Sequence, residues 1–233
     1  MGQTTSIEAA QGAPGLRDRK KARRREEILE AAQGLFASQG VDATTMADIA
    51  EAVGVSQPTV FNYFGNKGGI LIALIHEGAA RERQHSKIMV PRTDLDFATL
   101  LVTIFSEFAE GTLRIASKRI WRYAEADTIR YPTTELAQSY QIVNTELMSA
   151  LRQVLSSYDL TLHDGNPADV DHLVQILYDI WGGAFFDLIK SEDMTIADHR
   201  IALTQRLEPL CRMIFAPDFL AEPTLKTTIG DPT

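Results

Sequence analysis

The sequence lacks several features that would each place it in a recognisable class. One cysteine among 233 residues, Cys211, excludes an internal disulfide framework and is typical of a reducing cytoplasm, where we expect the protein to function. No stretch approaches the roughly 18 consecutive apolar residues that span a bilayer, so we expect no membrane contact. A formal net charge of −8 by itself argues against a nucleic-acid partner.

Arrangements of side chains typical of catalysis or metal binding are missing too. The five histidines are scattered, and none has the H-E-x-x-H spacing or another paired-ligand spacing. Asp169 and His172 lie one helical turn apart, but solvated charges at a helix start explain this pair better than a metal site. Cys211 has only Arg212 as a basic neighbour and is expected to be a small buried residue. We therefore expect neither an enzyme nor a protein with a metal or cofactor.

The negative net charge hides an uneven distribution. Residues 17–25, with the sequence RDRKKARRR, contain seven basic residues and one acidic residue, a net charge of +6. Over residues 1–67 eight Lys and Arg balance eight Asp and Glu, so residues 68–233 carry the whole −8. A basic segment ahead of an acidic body indicates an N-terminal nucleic-acid contact, in which we include Arg23. The alternative is that these charges form the solvated face of the first helix.

Hydrophobic periodicity predicts an all-α chain that begins with three helices. The apolar face of the first helix consists of Ile28, Ala32, Leu35 and Phe36, and Gly40 ends this helix. Thr45 and Asp48 have the spacing of a capping box that opens a second helix. Gly54 then stops the second helix, and Ser56 is placed to cap a third.

The third helix is only about eight residues long and is amphipathic. Val60 and Phe64 lie four residues apart and are expected to pack against the second helix. The opposite face and the exposed N-terminal end present Gln57, Pro58, Thr59, Asn62 and Tyr63. Two short helices joined by a tight glycine turn form a helix-turn-helix, and the major groove of DNA, about 12 Å wide, admits one such helix. Because any two short helices can pack this way, the pattern alone leaves a plain helix pair open.

The residues of these helices resemble the signature of the tetracycline-repressor (TetR) family of transcriptional regulators. The match extends over 24 positions without a gap: Thr44-Thr45-x-x-Asp48-Ile49-Ala50-x-x-x-Gly54-Val55-Ser56-x-x-Thr59-x-Phe61-x-Tyr63-Phe64-x-x-Lys67. The preceding helix fits as well, so the resemblance covers residues 20–74, and beyond them only the helical layout agrees. It implies a three-helix DNA-binding domain, a larger helical ligand-binding and dimerisation domain, and a homodimer on double-stranded operator DNA.

The resemblance also implies roles for individual residues. Contacts with phosphate or the DNA backbone are expected from Thr45, Asn62, Tyr63 and Lys67, and contacts with the bases from Gln57, Pro58 and Thr59. Two positions depart from the family pattern. Phe61 stands where a tyrosine is usual, so an apolar contact, for example with a thymine methyl group, replaces a hydroxyl contact. Gly68 and Gly69 replace helix-favouring residues and are expected to weaken that helix start by about 1 kcal/mol each.

The remainder of the chain is predicted to form further helices. Ile115, Ile120 and Trp121 are assigned to a short helix after Gly111, and a long helix is expected from about Thr133 to Ser157. The sequence Asn166-Pro167-Ala168-Asp169 is typical of a helix start, and Thr195 with Asp198 is expected to cap the last helix. A ligand pocket is predicted among the aromatic residues of this body, which are Phe105, Phe108, Trp121, Tyr140, Tyr178, Trp181 and Phe185.

These observations predict four segments. They are a disordered tail (1–16), a helix-turn-helix DNA-binding domain (17–66), a helical ligand-binding and dimerisation domain (67–215) and a loose C-terminal tail (216–233). We expect a regulator, most often a repressor, that binds a palindromic operator as a homodimer and is released by a small-molecule effector. The dimer is expected to form through helices at about 167–190 and 195–214. The alternative is a helical small-molecule-binding protein or enzyme with a vestigial DNA-binding domain.

Overall fold

The computed structural model of the protein describes residues 15–85 and 90–226. Within these ranges it contains ten α-helices and isolated β-bridges but no β-strand, which confirms the all-α prediction. The helices are α1 (Leu16–Gln39), α2 (Met46–Val53), α3 (Gln57–Phe64), α4 (Lys67–His85), α5 (Phe97–Ile115), α6 (Lys118–Arg130), α7 (Glu135–Leu155), α8 (Val170–Lys190), α9 (Ile196–Ile214) and α10 (Pro217–Ala221). None of these helices combines the length and apolar character needed to cross a bilayer.

Helices α1, α2 and α3 pack around a small apolar core of fully or almost fully buried side chains. Its members are Ile28, Ala32, Phe36, Ile49, Ala50 and Val60. The predicted capping box of α2 is present: the Thr45 backbone N–H donates to the Asp48 carboxylate at 2.8 Å, and the Asp48 N–H donates to Thr45 Oγ1 at 3.1 Å. Since these contacts satisfy N–H groups that the helix itself cannot, they fix where α2 begins.

The turn between α2 and α3 depends on a glycine. Gly54 has a φ of +68°, in the left-handed region that side chains other than glycine rarely occupy. Ser56 occupies the N-cap position of α3 as predicted. Its hydroxyl lies 2.8 Å from Thr59 Oγ1 instead of bonding a backbone N–H of the first turn.

The start of α4 corrects the interpretation of Gly68 and Gly69 as residues that merely weaken the helix. A Cβ atom on Gly69 would lie 2.0 Å from the carbonyl oxygen of Phe64, the last residue of α3. The Gly69 N–H also donates a hydrogen bond to Asn66 Oδ1, in the residue before α4, at 3.0 Å. Gly69 is therefore required by the close approach of α3 to α4.

The short helix predicted after Gly111 corresponds to α6, which contains Ile120 and Trp121, but the assignment of Ile115 to it is wrong. Gly111 and Ile115 belong to α5, which ends at Ile115, and Ala116 and Ser117 separate it from α6. Gly111 is buried beneath Glu82 of α4, and a Cβ there would lie 2.9 Å from Glu82 Oε1. The glycine thus permits close packing between two helices and does not end one.

The helix starts predicted for the second half of the chain are confirmed. The long predicted helix corresponds to α7. Asp169 caps α8, because its carboxylate accepts hydrogen bonds from the backbone N–H groups of Asp171 and His172. Asp169 also pairs with the exposed His172 ring at 3.0 Å, as expected for solvated charges at a helix start. Thr195 and Asp198 form a complete capping box at α9.

The C-terminal segment differs from the predicted loose tail. Residues 217–221 form α10, and the buried Phe219 ring lies 4.8 Å from the Phe97 ring and 5.6 Å from the Phe215 ring. Backbone hydrogen bonds of 2.9 Å join Asp159 to Thr224 and Lys226 to Ser157. Aromatic burial gives this segment a stable place that its irregular sequence did not indicate. Residues 227–233 lie outside the described ranges.

Helix α1 begins within the segment predicted as a disordered N-terminal tail, residues 1–16. Residues 1–14 lie outside the described ranges, whereas Leu16 already begins α1. The basic run of residues 17–25 is consequently the first part of a helix and not a separate arm.

Two sets of contacts join the three N-terminal helices to the body. In the middle of α4, Glu77 pairs with Arg25 of α1, whose guanidinium lies 5.1 Å from the centroid of the Phe64 ring. At the other end of α1, Arg119 of α6 donates to the carbonyl of Ser38, and Gln33 Nε2 donates to the carbonyl of Ile115 at 3.3 Å. The orientation of the N-terminal helices is therefore set by both α4 and α6.

The close approach at Gly69 leads to a stability prediction. We expect Gly69→Ala to lower the free energy of unfolding by about 1–3 kcal/mol, because the new methyl group must displace the Phe64 backbone. Gly34→Ala is the matched control: it lies inside α1 with open space around it. That variant should gain about 0.5–1 kcal/mol from helix propensity. Urea denaturation of both variants measures this, and a stabilised Gly69→Ala protein would contradict the packing described here.

Candidate functional site

The outer face of α3 carries the side chains that the sequence singled out. Gln57, Pro58 and Asn62 are exposed, and Thr59 and Tyr63 are half-buried. Phe61 is 43% exposed, which is unusual for an aromatic side chain without a partner surface. The buried Val60 holds the opposite side of the helix against α1 and α2, so the polar face points away from the core.

A basic groove runs between the first turns of α1 and this face of α3. One wall is formed by Arg17, Asp18, Lys20, Lys21, Arg23, Arg24 and Glu27, and the other by Thr59, Asn62 and Tyr63. The groove is open and encloses about 1200 Å³. Its five cationic side chains against two carboxylates give it a positive charge, although the whole chain is acidic. We refer to this feature as the basic groove.

The cations of the basic groove are not equivalent. Arg24 is directed towards the fold, since it donates to the carbonyl of Val53 at 3.4 Å and pairs with Glu27 at 3.1 Å. Arg23 also pairs with Glu27, at 3.0 Å, but remains largely exposed. Lys20 and Lys21 are exposed and form no hydrogen bond or ion pair within residues 15–85 and 90–226. Together with the exposed Arg17, the two lysines are the groove cations most available to an external anion.

Thr45 lies at the exposed N-terminus of α2. Its hydroxyl oxygen accepts from the Asp48 N–H, which leaves the hydroxyl proton available to a hydrogen-bond acceptor. The N-terminus of a helix carries unsatisfied N–H groups and a partial positive charge, both suited to phosphate.

Lys67 has a structural task that the sequence did not reveal. Its ammonium group donates to the carbonyls of Val41 and Asp42, at 2.8 and 3.2 Å, in the loop between α1 and α2. An ammonium group has three protons, so one donor remains for a phosphate. Lys67 therefore connects the start of α4 to the α1–α2 loop whether or not it contacts a ligand.

A second candidate site is a cavity of about 480 Å³ between α6, α7 and α8, which we call the aromatic cavity. Five of the seven aromatic residues predicted for a ligand pocket line it: Trp121, Tyr140, Tyr178, Trp181 and Phe185. The Trp121 and Tyr140 rings meet edge to face at 5.8 Å, and the Trp181 ring lies 5.2 Å from the Tyr178 and Phe185 rings. The remaining lining residues are Glu125, Thr128, Ile129, Gln141, Asn144, Gly182, Gly183, Phe186 and Ile189.

Polar groups in the aromatic cavity are few and close together. Tyr178 donates its hydroxyl proton to Asn144 Oδ1 at 2.9 Å. Burial raises the pKa of Tyr140 and of Tyr178, and the Glu125 carboxylate raises both further. Both tyrosines are consequently neutral phenols at any physiological pH, and Glu125 is the charged group of the cavity.

The other two predicted pocket residues lie elsewhere. Phe105 is fully buried and its ring stacks on Trp181 at 6.2 Å, so it supports the aromatic cavity from behind. Phe108 lines a separate cavity of about 300 Å³ between α4, α5 and α7. The acidic residues of this smaller cavity are Glu82, Glu107 and Glu146, of which Glu82 pairs with Arg114 and Glu146 with Arg83.

The sequence is similar to those of known bacterial regulatory proteins. Residues 28–74, which contain the second half of α1, the helix-turn-helix and the start of α4, match the family model for bacterial regulatory proteins of the tetR family. The nucleoid occlusion factor SlmA of Photobacterium profundum is 31% identical over 157 residues, which are 64% of this chain and 76% of that protein. The chain belongs to the TetR family.

Other relatives of this TetR-family protein match mainly over the N-terminal helices. The transcriptional repressor AcnR of Corynebacterium glutamicum is 40% identical over 62 residues, 27% of this chain and 33% of AcnR. The chain thus aligns with about a third of the length of such relatives. The crystal structure of the regulator FadR from Bacillus subtilis, in complex with stearoyl-CoA, has a TM-score of 0.56 at 19% identity, covering 78% of this chain and 96% of FadR. That similarity shows the fold alone.

Sequence reasoning missed several groups of this TetR-family protein. Glu125 and Asn144 were not singled out, although Glu125 follows Trp121 by one helical turn and so shares its face. The separate orientations of Lys20, Lys21 and Arg24 within the basic run had no signal in the sequence. No group of three or more His, Cys, Asp or Glu side chains that could hold a metal occurs in the part of the chain that the structure describes.

The contacts of Lys67 lead to a prediction that a pure DNA-contact role would not give. Lys67→Ala should lower the free energy of unfolding by about 1.5–3 kcal/mol, because the backbone carbonyls of Val41 and Asp42 lose a charged donor. Lys21→Ala should change it by no more than about 0.5 kcal/mol, since Lys21 is exposed and has no such partner. Thermal and urea denaturation in the absence of DNA measures both variants. Equal stabilities of the two variants would show that the Lys67 contacts contribute nothing to the fold.

Proposed function

We propose that this protein is a ligand-responsive DNA-binding transcriptional regulator, which acts as a repressor on a palindromic operator. The observation that carries the proposal is the basic groove beside the polar face of α3. A helix that presents exposed polar side chains next to unpaired lysines has the chemistry needed to read base edges and to neutralise phosphates. The similarity of the N-terminal helices to those of the repressor AcnR supports the direction of regulation.

The proposed DNA contacts follow from exposure and chemistry. Gln57 stands at the exposed N-terminal end of α3, where its amide can make paired hydrogen bonds to an adenine. Pro58, Thr59 and Phe61 are placed for shorter or apolar contacts with bases, including a thymine methyl group. The DNA backbone would be contacted by Arg23, Thr45, Asn62, Tyr63 and Lys67, to which the structure adds Lys20 and Lys21.

A homodimer is proposed through α8 and α9. Four large apolar side chains of these two helices are exposed, namely Ile176, Phe186, Ile201 and Met213. Between the first two, Gly182 has open space around it and Gly183 has only the tip of Arg206 at 3.8 Å. Small residues on an outer face allow a partner helix to approach closely, and a symmetric four-helix contact would cover all four apolar side chains.

The dimer gives the effector a way to act. Two recognition helices must be about 34–36 Å apart to enter successive major grooves. An effector in the aromatic cavity touches α6, whose Arg119 holds the C-terminal end of α1, so a shift of α6 reaches the N-terminal helices directly. Lys67 and Gly69 provide the second connection, through α4. The fold of the FadR complex supports a small-molecule site in the body of such a protein.

Base-reading and phosphate-binding residues should respond differently to mutation. With an operator obtained by in vitro selection, Gln57→Ala should cost about 1–3 kcal/mol per half-site and relax the preference at one base position. Lys21→Ala is the matched phosphate variant, since it should weaken binding to all sequences alike and reduce the salt slope by about one unit per contact. Tyr63→Phe should resemble Lys21→Ala but be smaller, because a neutral hydrogen bond is lost.

The measurement is the affinity of each variant for every single-base operator variant at two salt concentrations. If Gln57→Ala proved as insensitive to sequence as Lys21→Ala, α3 would not be the base-reading helix. If the wild-type protein selected no sequence at all, the alternative of a vestigial DNA-binding domain would replace this proposal.

The dimer is tested separately. We expect light scattering to give twice the mass of the 25.8 kDa chain, and Ile176→Glu to give a folded monomer. The reason is that a carboxylate buried across a symmetric helix contact would meet its own copy without a counter-charge. Val90→Glu is the control, because Val90 is a similarly exposed apolar residue in the segment before α5. A dimer that survives Ile176→Glu unchanged would place the interface on another surface.

A further inference from the structure

We propose that the aromatic cavity binds an organic cation, whose positive charge lies against Glu125 and the faces of the surrounding rings. This inference rests on the proposed function, because it gives the chemical class of the effector at the same site. It is carried by three features of the cavity: its charge, the state of its indole and phenol groups, and its difference from the neighbouring cavity.

The charge of the cavity is negative and uncompensated. Glu125 is the one charged residue among its lining residues, and no lysine, arginine or histidine is among them. Within the described ranges the Glu125 carboxylate accepts a hydrogen bond from the Tyr140 hydroxyl but has no cationic partner. Nearby Arg122 of the same helix is directed elsewhere, since it donates to the carbonyl of Ile189 at 2.7 Å and pairs with Glu192. A carboxylate beside an apolar cavity favours a positively charged ligand and opposes an anionic one.

The aromatic groups offer ring faces and not hydrogen-bond donors. Trp121 Nε1 donates to the carbonyl of Thr112 at 2.8 Å, and Trp181 Nε1 donates to the carbonyl of Phe105 at 3.0 Å. Both indole N–H groups are thus already used inside the protein. The hydroxyl proton of Tyr178 is used in the same way, by Asn144. What remains for a ligand is the electron-rich face of several rings, which attracts cations and attracts ammonium groups without N–H protons especially well.

The number of aromatic lining residues distinguishes this site from the smaller cavity near Phe108. There, two of three carboxylates already have arginine partners, and Phe108 is the one aromatic residue among the lining residues. The aromatic cavity has six aromatic residues and about 480 Å³, which is within the range of small-ligand sites. The aromatic cavity thus surrounds a carboxylate that has no cationic partner within the described ranges with six rings, whereas the smaller cavity offers one ring.

The chain provides its own optical probe for the test. Its two tryptophans, Trp121 and Trp181, both line the aromatic cavity, so quenching of intrinsic fluorescence reports on occupancy of that cavity. The probes are benzyltrimethylammonium and neopentylbenzene, which have the same shape but differ in charge. We expect the cation to bind the full-length protein at least about tenfold more tightly than the neutral compound.

Two variants of similar chemistry identify the responsible carboxylate. Glu125→Gln should weaken binding of benzyltrimethylammonium about tenfold and leave that of neopentylbenzene unchanged, since only the charge is removed. Glu107→Gln, in the smaller cavity, should affect neither compound. Thermal denaturation of each variant checks that the fold is retained.

Three results would overturn the inference: equal affinities for the two compounds, no quenching by either at millimolar concentration, or sensitivity to Glu107→Gln but not to Glu125→Gln. Operator binding measured in the same titrations keeps the proposed function separate. If the cation binds through Glu125 but DNA affinity is unchanged, the cation site stands and release by an effector at this site fails. If the protein binds no operator, the fluorescence result still decides the cation site.

Discussion

The contact between the end of α3 and the start of α4 is the constraint on which the arrangement of this protein depends. The Phe64 carbonyl approaches Gly69 so closely that a side chain cannot stand between the two helices. On the other side of the same junction, Lys67 binds two carbonyls of the α1–α2 loop, and Arg25 covers the Phe64 ring while it pairs with Glu77. The face of α3 that points outward is thereby fixed relative to the first helix of the body.

This junction couples the position of α4 to that of the N-terminal helices. A change in α4 must move α3 with it, since neither the Gly69 contact nor the Lys67 hydrogen bonds can stretch far without breaking. Arg119 adds an independent connection from α6 to the end of α1. In the proposed mechanism, a ligand that moved α6 would act on α1 through Arg119, separately from the junction at α4.

Helix α8 has two roles in the proposed mechanism. Tyr178, Trp181 and Phe185 of this helix line the aromatic cavity, and so do Gly182, Gly183 and Phe186. The same helix also carries part of the surface proposed for dimer contact. The cavity wall and the subunit interface would then share one helix, and a ligand could alter subunit spacing without a long chain of intermediate contacts.

The sequence by itself determined the elements that depend on local chemistry. Helix caps such as Thr45 with Asp48 and Thr195 with Asp198, the glycine turn at Gly54 and the amphipathic faces could all be predicted, because each is specified by residues within one or two turns of one another. The membership of five aromatic residues in one cavity was also within reach, since large rings in a helical body are drawn to its interior.

Only the tertiary structure decided the roles that depend on distant neighbours. Gly69 and Gly111 look like helix-weakening residues in the sequence, but Phe64 and Glu82 occupy the space that a side chain would need. The segment after Pro217 has no periodic pattern, yet Phe219 is buried against Phe97 from the other end of the body. Whether a glycine ends a helix or admits a neighbour, and whether a carboxylate is paired or free, depends on which residues the fold brings within a few ångströms, and the linear order of residues does not contain that distance.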